Sequence, residues 1–90
     1  MEILIKLKKQ KATFFLKKEG KFIKDFHIIS DKKNPAENWL SIIDNNIKTE
    51  DIKTIKLEVQ DLYDTSVRLM LSVVQTLSWL RSIPLTMQYI

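Results

Sequence analysis

Thr65-Ser66-Val67-Arg68-Leu69-Met70-Leu71-Ser72-Val73-Val74-Gln75-Thr76-Leu77-Ser78-Trp79-Leu80-Arg81-Ser82-Ile83-Pro84-Leu85 is the stretch that decides how this chain reads. Asp64, Thr65 and Ser66 supply side-chain acceptors for a helix start, and the apolar residues then recur at helical spacing up to Arg81. Pro84 stops the helix, and Leu85–Ile90 is long enough for a strand. No charged residue lies between Arg68 and Arg81. On a helical wheel Val67, Leu69, Met70, Leu71, Val73, Val74, Leu77 and Leu80 cover an arc of about 200°. A helix lying on one neighbour needs an apolar stripe of only about 100°. The surplus predicts a second surface to be covered, and in a chain of 90 residues that surface is expected to belong to another molecule.

Upstream, Glu2–Leu7 alternates, with Ile3, Ile5 and Leu7 on one face and Leu4 on the other, and reads as a strand. Lys8-Lys9-Gln10 connects it to a second strand, Lys11–Lys17. Lys18-Glu19-Gly20-Lys21 holds the only glycine of the chain, placed where a tight hairpin needs positive φ. Phe22–Ile29 forms a third strand whose two mixed faces predict partial cover on both sides. Asn34, Pro35 and Glu37 fit the cap, first position and capping-box acid of a helix running over Pro35–Asn46. Ala36, Trp39, Leu40, Ile43 and Ile47 supply its apolar stripe. Thr49–Ile52 reads as one helical turn, and Thr54–Val59 as a fourth strand with Ile55, Leu57 and Val59 on one side. The expected order is β-β-β-α-β-α-β, a single α/β domain over residues 1–90 with a mixed sheet covered by two helices.

Composition narrows the chemistry. There is no cysteine, which excludes disulfides, thiol nucleophiles and cysteine-ligated metals. His27 is the only histidine, and on a strand it reads as a surface or half-buried residue. No signal peptide is visible and no apolar run reaches the roughly 20 residues that span a bilayer, so a cytoplasmic protein is expected. The net charge of +4 is uneven: residues 1–33 carry +6 and residues 34–90 carry −2. The lysine-rich hairpins, Lys6 to Lys24, could meet nucleic acid. Thirteen lysines against two arginines fit solubility and edge protection better, because arginine is the stronger fork for phosphates and bases.

Several residues carry a family resemblance. Thr65, Arg68 and Leu69, then Leu71, Leu77 and Trp79, then Ile83-Pro84-Leu85 keep the register of the TsaB (YeaZ) family, and Ile52-Lys53-Thr54-Ile55-Lys56-Leu57 resembles its approach to the fourth strand. TsaB is the non-catalytic, actin-like subunit of the bacterial machinery for threonylcarbamoyladenosine in tRNA. The chain is similar to its N-terminal subdomain, about half of a full-length member. The resemblance implies a ribonuclease H-like, actin-type half-domain that docks through its two helices on a homologous subunit, either a second copy or the catalytic TsaD, with tRNA nearby through the complex. The interface residues it implies, together with the surplus apolar arc, are Trp39, Ile43, Leu69, Met70, Val73, Val74, Leu77, Trp79 and Leu80.

The chain departs from that family where nucleotides are held. Gln60-Asp61-Leu62-Tyr63-Asp64 stands in place of Gly-Pro-Gly-Ser-Phe, and Ser66 and Met70 stand in place of glycines. Lys6-Leu7-Lys8-Lys9-Gln10 replaces the phosphate turn of the first strand. Backbone amides approach phosphates closely only where glycines leave room, so no cofactor is expected. Asp61 and Asp64 flank Tyr63 and could form a metal or acid–base pair, or simply cap the following helix. With no histidine nearby and no base beside Ser66, no catalytic or metal-binding constellation is expected.

Overall fold

The computed structural model describes residues 1–31, 33, 35–48 and 50–90. Five strands form one sheet: β1 (Glu2–Lys8), β2 (Lys11–Lys18), β3 (Lys21–Ile29), β4 (Thr54–Val59) and β5 (Leu85–Tyr89), with helices α1 (Trp39–Ile47) and α2 (Thr65–Arg81). The strand order is β3-β2-β1-β4-β5. β1, β2 and β3 form an antiparallel meander. β4 runs parallel to β1, and β5 parallel to β4. Each parallel step needs a crossover, which α1 and α2 supply.

The strand pattern explains why both helices lie on one side. Ile3 pairs with Leu16 and Ile55, Ile5 with Phe14 and Leu57, and Leu7 with Ala12 and Val59. Directly paired residues point to the same face, so these nine side chains make one buried apolar surface. Trp39, Ile43 and Ile47 of α1 and Val67, Met70, Val74 and Leu77 of α2 join it in a single hydrophobic cluster. The opposite face carries Leu4, Lys6, Phe15, Lys17, Lys56 and Glu58, none of them buried.

The turns follow from backbone needs. Glu19 and Gly20 both have positive φ, 54° and 79°, as a two-residue type I′ hairpin requires. A β-carbon on Gly20 would meet no atom within 4 Å, so conformation alone selects glycine there.

Four expectations need correction. The first helix does not begin with Pro35 in its first turn: Pro35 is extended (ψ 152°), Ala36–Asn38 form a 3₁₀ helix, and α1 proper starts at Trp39. Asn38 N–H donates to the Pro35 carbonyl at 2.9 Å, the tighter i→i+3 bond. The expected Asn34 cap lies outside the described residues. α1 also runs past Asn46 to Ile47, whose buried side chain holds the last turn in the core. There is no helical turn over residues 50–52; Glu50 N–H closes back on the Ile47 carbonyl, and Lys53 N–H reaches the Met1 carbonyl, which keeps the approach to β4 extended. Finally, β3 is not covered on both sides. It is an edge strand on which only Ile28 is buried, while Phe22, Ile23 and Ile29 are exposed.

Candidate protein-interaction surface

Of the nine interface residues expected from the sequence, five belong to the protein's own core. Trp39, Ile43, Met70, Val74 and Leu77 are all buried against the sheet. Within the chain their side chains are taken up by the core, and Leu77 also lines the groove described below. The remaining four lie outside the core stripe: Val73 is half-buried, and Leu69, Leu80 and Trp79 are 46%, 57% and 78% exposed.

The helical wheel explains the division. Val67, Met70, Val74 and Leu77 define the inward stripe of α2. Leu69 and Leu80 are eleven residues apart and therefore about 20° apart around the helix, on its α1-facing flank with Val73. Trp79 lies roughly 160° from the inward stripe, on the far side, and α1 does not cover it. The surplus of the apolar arc is thus real but narrower than the whole arc, a line of three residues plus one isolated tryptophan.

Leu80, at the C-terminal end of that line, borders a groove between the two helices. Leu40, Ser41 and Asp44 of α1 and Leu77, Leu80 and Arg81 of α2 enclose an open hollow of about 340 Å³. Asp44 accepts a hydrogen bond from the Arg81 guanidinium and closes one end. These two residues are 37 positions apart, so no local pattern announces their pairing. The groove therefore offers an apolar floor with one cationic and one anionic group at its rim, a chemistry suited to another helix.

Asp61 and Asp64 are occupied in holding the fold. Asp64 caps α2, accepting from Ser66 N–H at 2.9 Å and from the Ser66 hydroxyl. The Ser66 oxygen in turn accepts from Gln10 N–H at 2.9 Å, and Asp61 accepts from Lys9 N–H at 3.2 Å. The first hairpin turn is thereby tied to the start of α2. Among the described residues no group of three or more His, Asp or Glu side chains is placed to hold a metal. His27 is exposed.

The cap makes a pH prediction. The Ser66 hydroxyl holds Asp64 below the ordinary carboxylate value of 3.8; desolvation opposes it, and the Ser66 and Val67 amides and nearby Lys9 lower it further. A group whose native pKa is lowered stabilises the fold in full above its unfolded value and loses that contribution as pH falls through the native one. Urea midpoints of the wild type and Asp64→Asn should therefore differ by a constant amount above about pH 4 and converge below it. Parallel curves down to pH 2 would show that the carboxylate is not the capping group.

No helix among the described residues is long and apolar enough to cross a membrane. No protein-family model matches the chain, and no curated protein matches it significantly.

Proposed function

We propose that this chain is a non-catalytic interaction subunit of the ribonuclease H-like, actin-type class, equivalent to the N-terminal half of a TsaB-like protein. In this reading it docks through its helix layer on a homologous subunit, a second copy or a TsaD-like protein, and supports threonylcarbamoyladenosine modification of tRNA in the cytoplasm. The strand order β3-β2-β1-β4-β5, with both helices on one face, is compatible with that class. The observation that carries the proposal is the pair of exposed leucines, Leu69 and Leu80, flanking half-buried Val73 on one side of α2, with Leu80 at the rim of the Leu40 groove. An apolar helix flank next to a shallow groove is the surface that helix-to-helix docking buries.

The double variant Leu69→Asp/Leu80→Asp tests it. Both side chains stand outside the core, so the fold should persist with an unchanged melting curve. Co-purification with a co-expressed TsaD-like subunit should fall at least tenfold, the loss expected when an interface centre is made anionic. Undiminished capture, or no capture by the wild type, would sink the reading.

A second reading rests on the other side of the sheet. Lys6, Lys8, Lys11, Lys17 and Lys56 share the uncovered face around Phe15, with Glu2, Asp25 and Glu58 among them. Such a surface could carry a single-stranded nucleic acid. Lys6 is already engaged, 3.8 Å from Glu58 and 5.6 Å from the Phe15 ring centroid, which weakens the platform. RNA binding that is absent or insensitive to salt would remove this alternative.

A further inference from the structure

The two edges of the sheet are built differently. β3 forms one edge and carries Lys21, Lys24 and Asp25, and its pairing with β2 is broken by a bulge at Leu16/Lys17. Charges and bulges on an edge discourage pairing with another chain. β5 forms the other edge and has neither. From Ser82 to Ile90 there is no charged residue, in a chain with 15 lysines and arginines and 11 acids. The β4–β5 register is regular from Ile55↔Leu85 to Val59↔Tyr89.

The backbone of β5 is oriented for a further partner strand. The Pro84 carbonyl accepts from Ile55 N–H, and Ile90 N–H donates to the Val59 carbonyl, each at 2.9 Å. Even-numbered residues of β5 therefore face β4, and by strand alternation Leu85, Met87 and Tyr89 direct their N–H and C=O groups to the free edge. Their side chains share the helix-side face, since they pair with Ile55, Leu57 and Val59. They are covered only in part: Leu85 is half-buried against the core, while Met87 is 36% and Tyr89 58% exposed.

We propose that β5 is a self-pairing edge, and that two copies of this chain join there in antiparallel register about a two-fold axis at Met87. That register is self-complementary on both faces. Met87 meets Met87 of the second copy, Leu85 meets Tyr89, and Thr86 meets Gln88, so apolar residues meet apolar ones and polar residues meet polar ones. The outward N–H and C=O groups of Leu85, Met87 and Tyr89 fall at the hydrogen-bonded positions of the new ladder. No like charges are brought together, although each copy carries +4. The resulting ten-strand sheet ends on both sides in the protected β3, so association stops at the dimer. This interface is independent of the helix groove, and either can exist without the other.

Light scattering across a concentration series tests the proposal. An edge of five residues is a small interface, so dimerisation, to twice the 10.6 kDa monomer mass, is expected at about 100 µM and above. Met87→Lys places two ammonium groups opposite each other and should shift the midpoint upward at least tenfold. Met87→Pro removes an outward N–H while sparing the β4 ladder, and should act the same way even if the lysine variant folds poorly. Leu69→Asp/Leu80→Asp should leave this dimer intact. A wild type that stays monomeric at about 1 mM, or a dimer lost in the helix variant and kept in both Met87 variants, would overturn the inference; the latter result would support helix docking instead.

Discussion

Replacing Trp39 with alanine should lower the stability of this protein by about 3–5 kcal/mol. Trp39 is 1% exposed, the largest side chain in the core. It sits with Leu7, Ala12, Ile28, Val67 and Met70 around a void of only about 10 Å³. The surroundings are already closely filled and held by four different elements, β1, β2, β3 and α2, so they cannot collapse into the space an indole leaves. A chain of 90 residues is expected to be stable by only roughly 5–13 kcal/mol, at about 0.05–0.15 kcal/mol per residue. The loss is therefore a large fraction of the total, and urea titration followed by circular dichroism should show a markedly earlier midpoint. A change below about 1 kcal/mol would mean that the indole is not enclosed by its own subunit. In that event Trp39 would return as an interface residue.

Phe14→Ala is expected to cost a similar amount, about 3–5 kcal/mol. Phe14 is fully buried on β2 and stacks on Phe26 of β3, with ring centroids 4.5 Å apart and planes 4° from parallel. The two positions are directly paired across the strands but are not equivalent. Phe26 stands on the edge strand and is only partly buried, so Phe26→Ala should cost about 1–2 kcal/mol, the burial of a partial ring plus the stacking. A double-mutant cycle should return a coupling of about 0.5–1.5 kcal/mol. Equal losses at the two positions would show that β3 is held as firmly as an interior strand, contrary to its edge placement.

The sequence made some of this legible and not the rest. Strict alternation at Ile3, Ile5 and Leu7 and at Ile55, Leu57 and Val59 announces strands without ambiguity, because period two has no helical counterpart. α2 was equally plain, bounded by Asp64 and Pro84 with apolar residues between. Strand order is a different matter. Phe22, Ile23 and Ile29 read as covered residues, yet β3 lies at an edge, and nothing local distinguishes an edge from an interior strand. The same holds around α2. Leu69, Met70 and Leu80 are alike as apolar members of the arc, and only the way α2 lies on the sheet and against Trp39 buries Met70 and leaves the other two outside. The start of α1 is not fixed by its local sequence, because Pro35 suits either a 3₁₀ or an α first turn. Docking of Trp39 against β1, β2 and α2 sets where the α geometry begins. The uncharged run from Ser82 to Ile90 was visible in the sequence, but its meaning depends on β5 being an edge.

Two hydrogen bonds tie the first hairpin to the region where α2 begins. Lys9 and Gln10 sit at the tip of a hairpin formed by the first 18 residues, and their amides donate to Asp61 and Ser66, more than fifty positions away. A hairpin can close on its own within microseconds, but these two donors find their acceptors only when the start of α2 is in place. Solvent hydrogen exchange at this pair of surface amides is consequently governed by detachment of the distant helix, so an outlying loop reports on the integrity of the whole molecule.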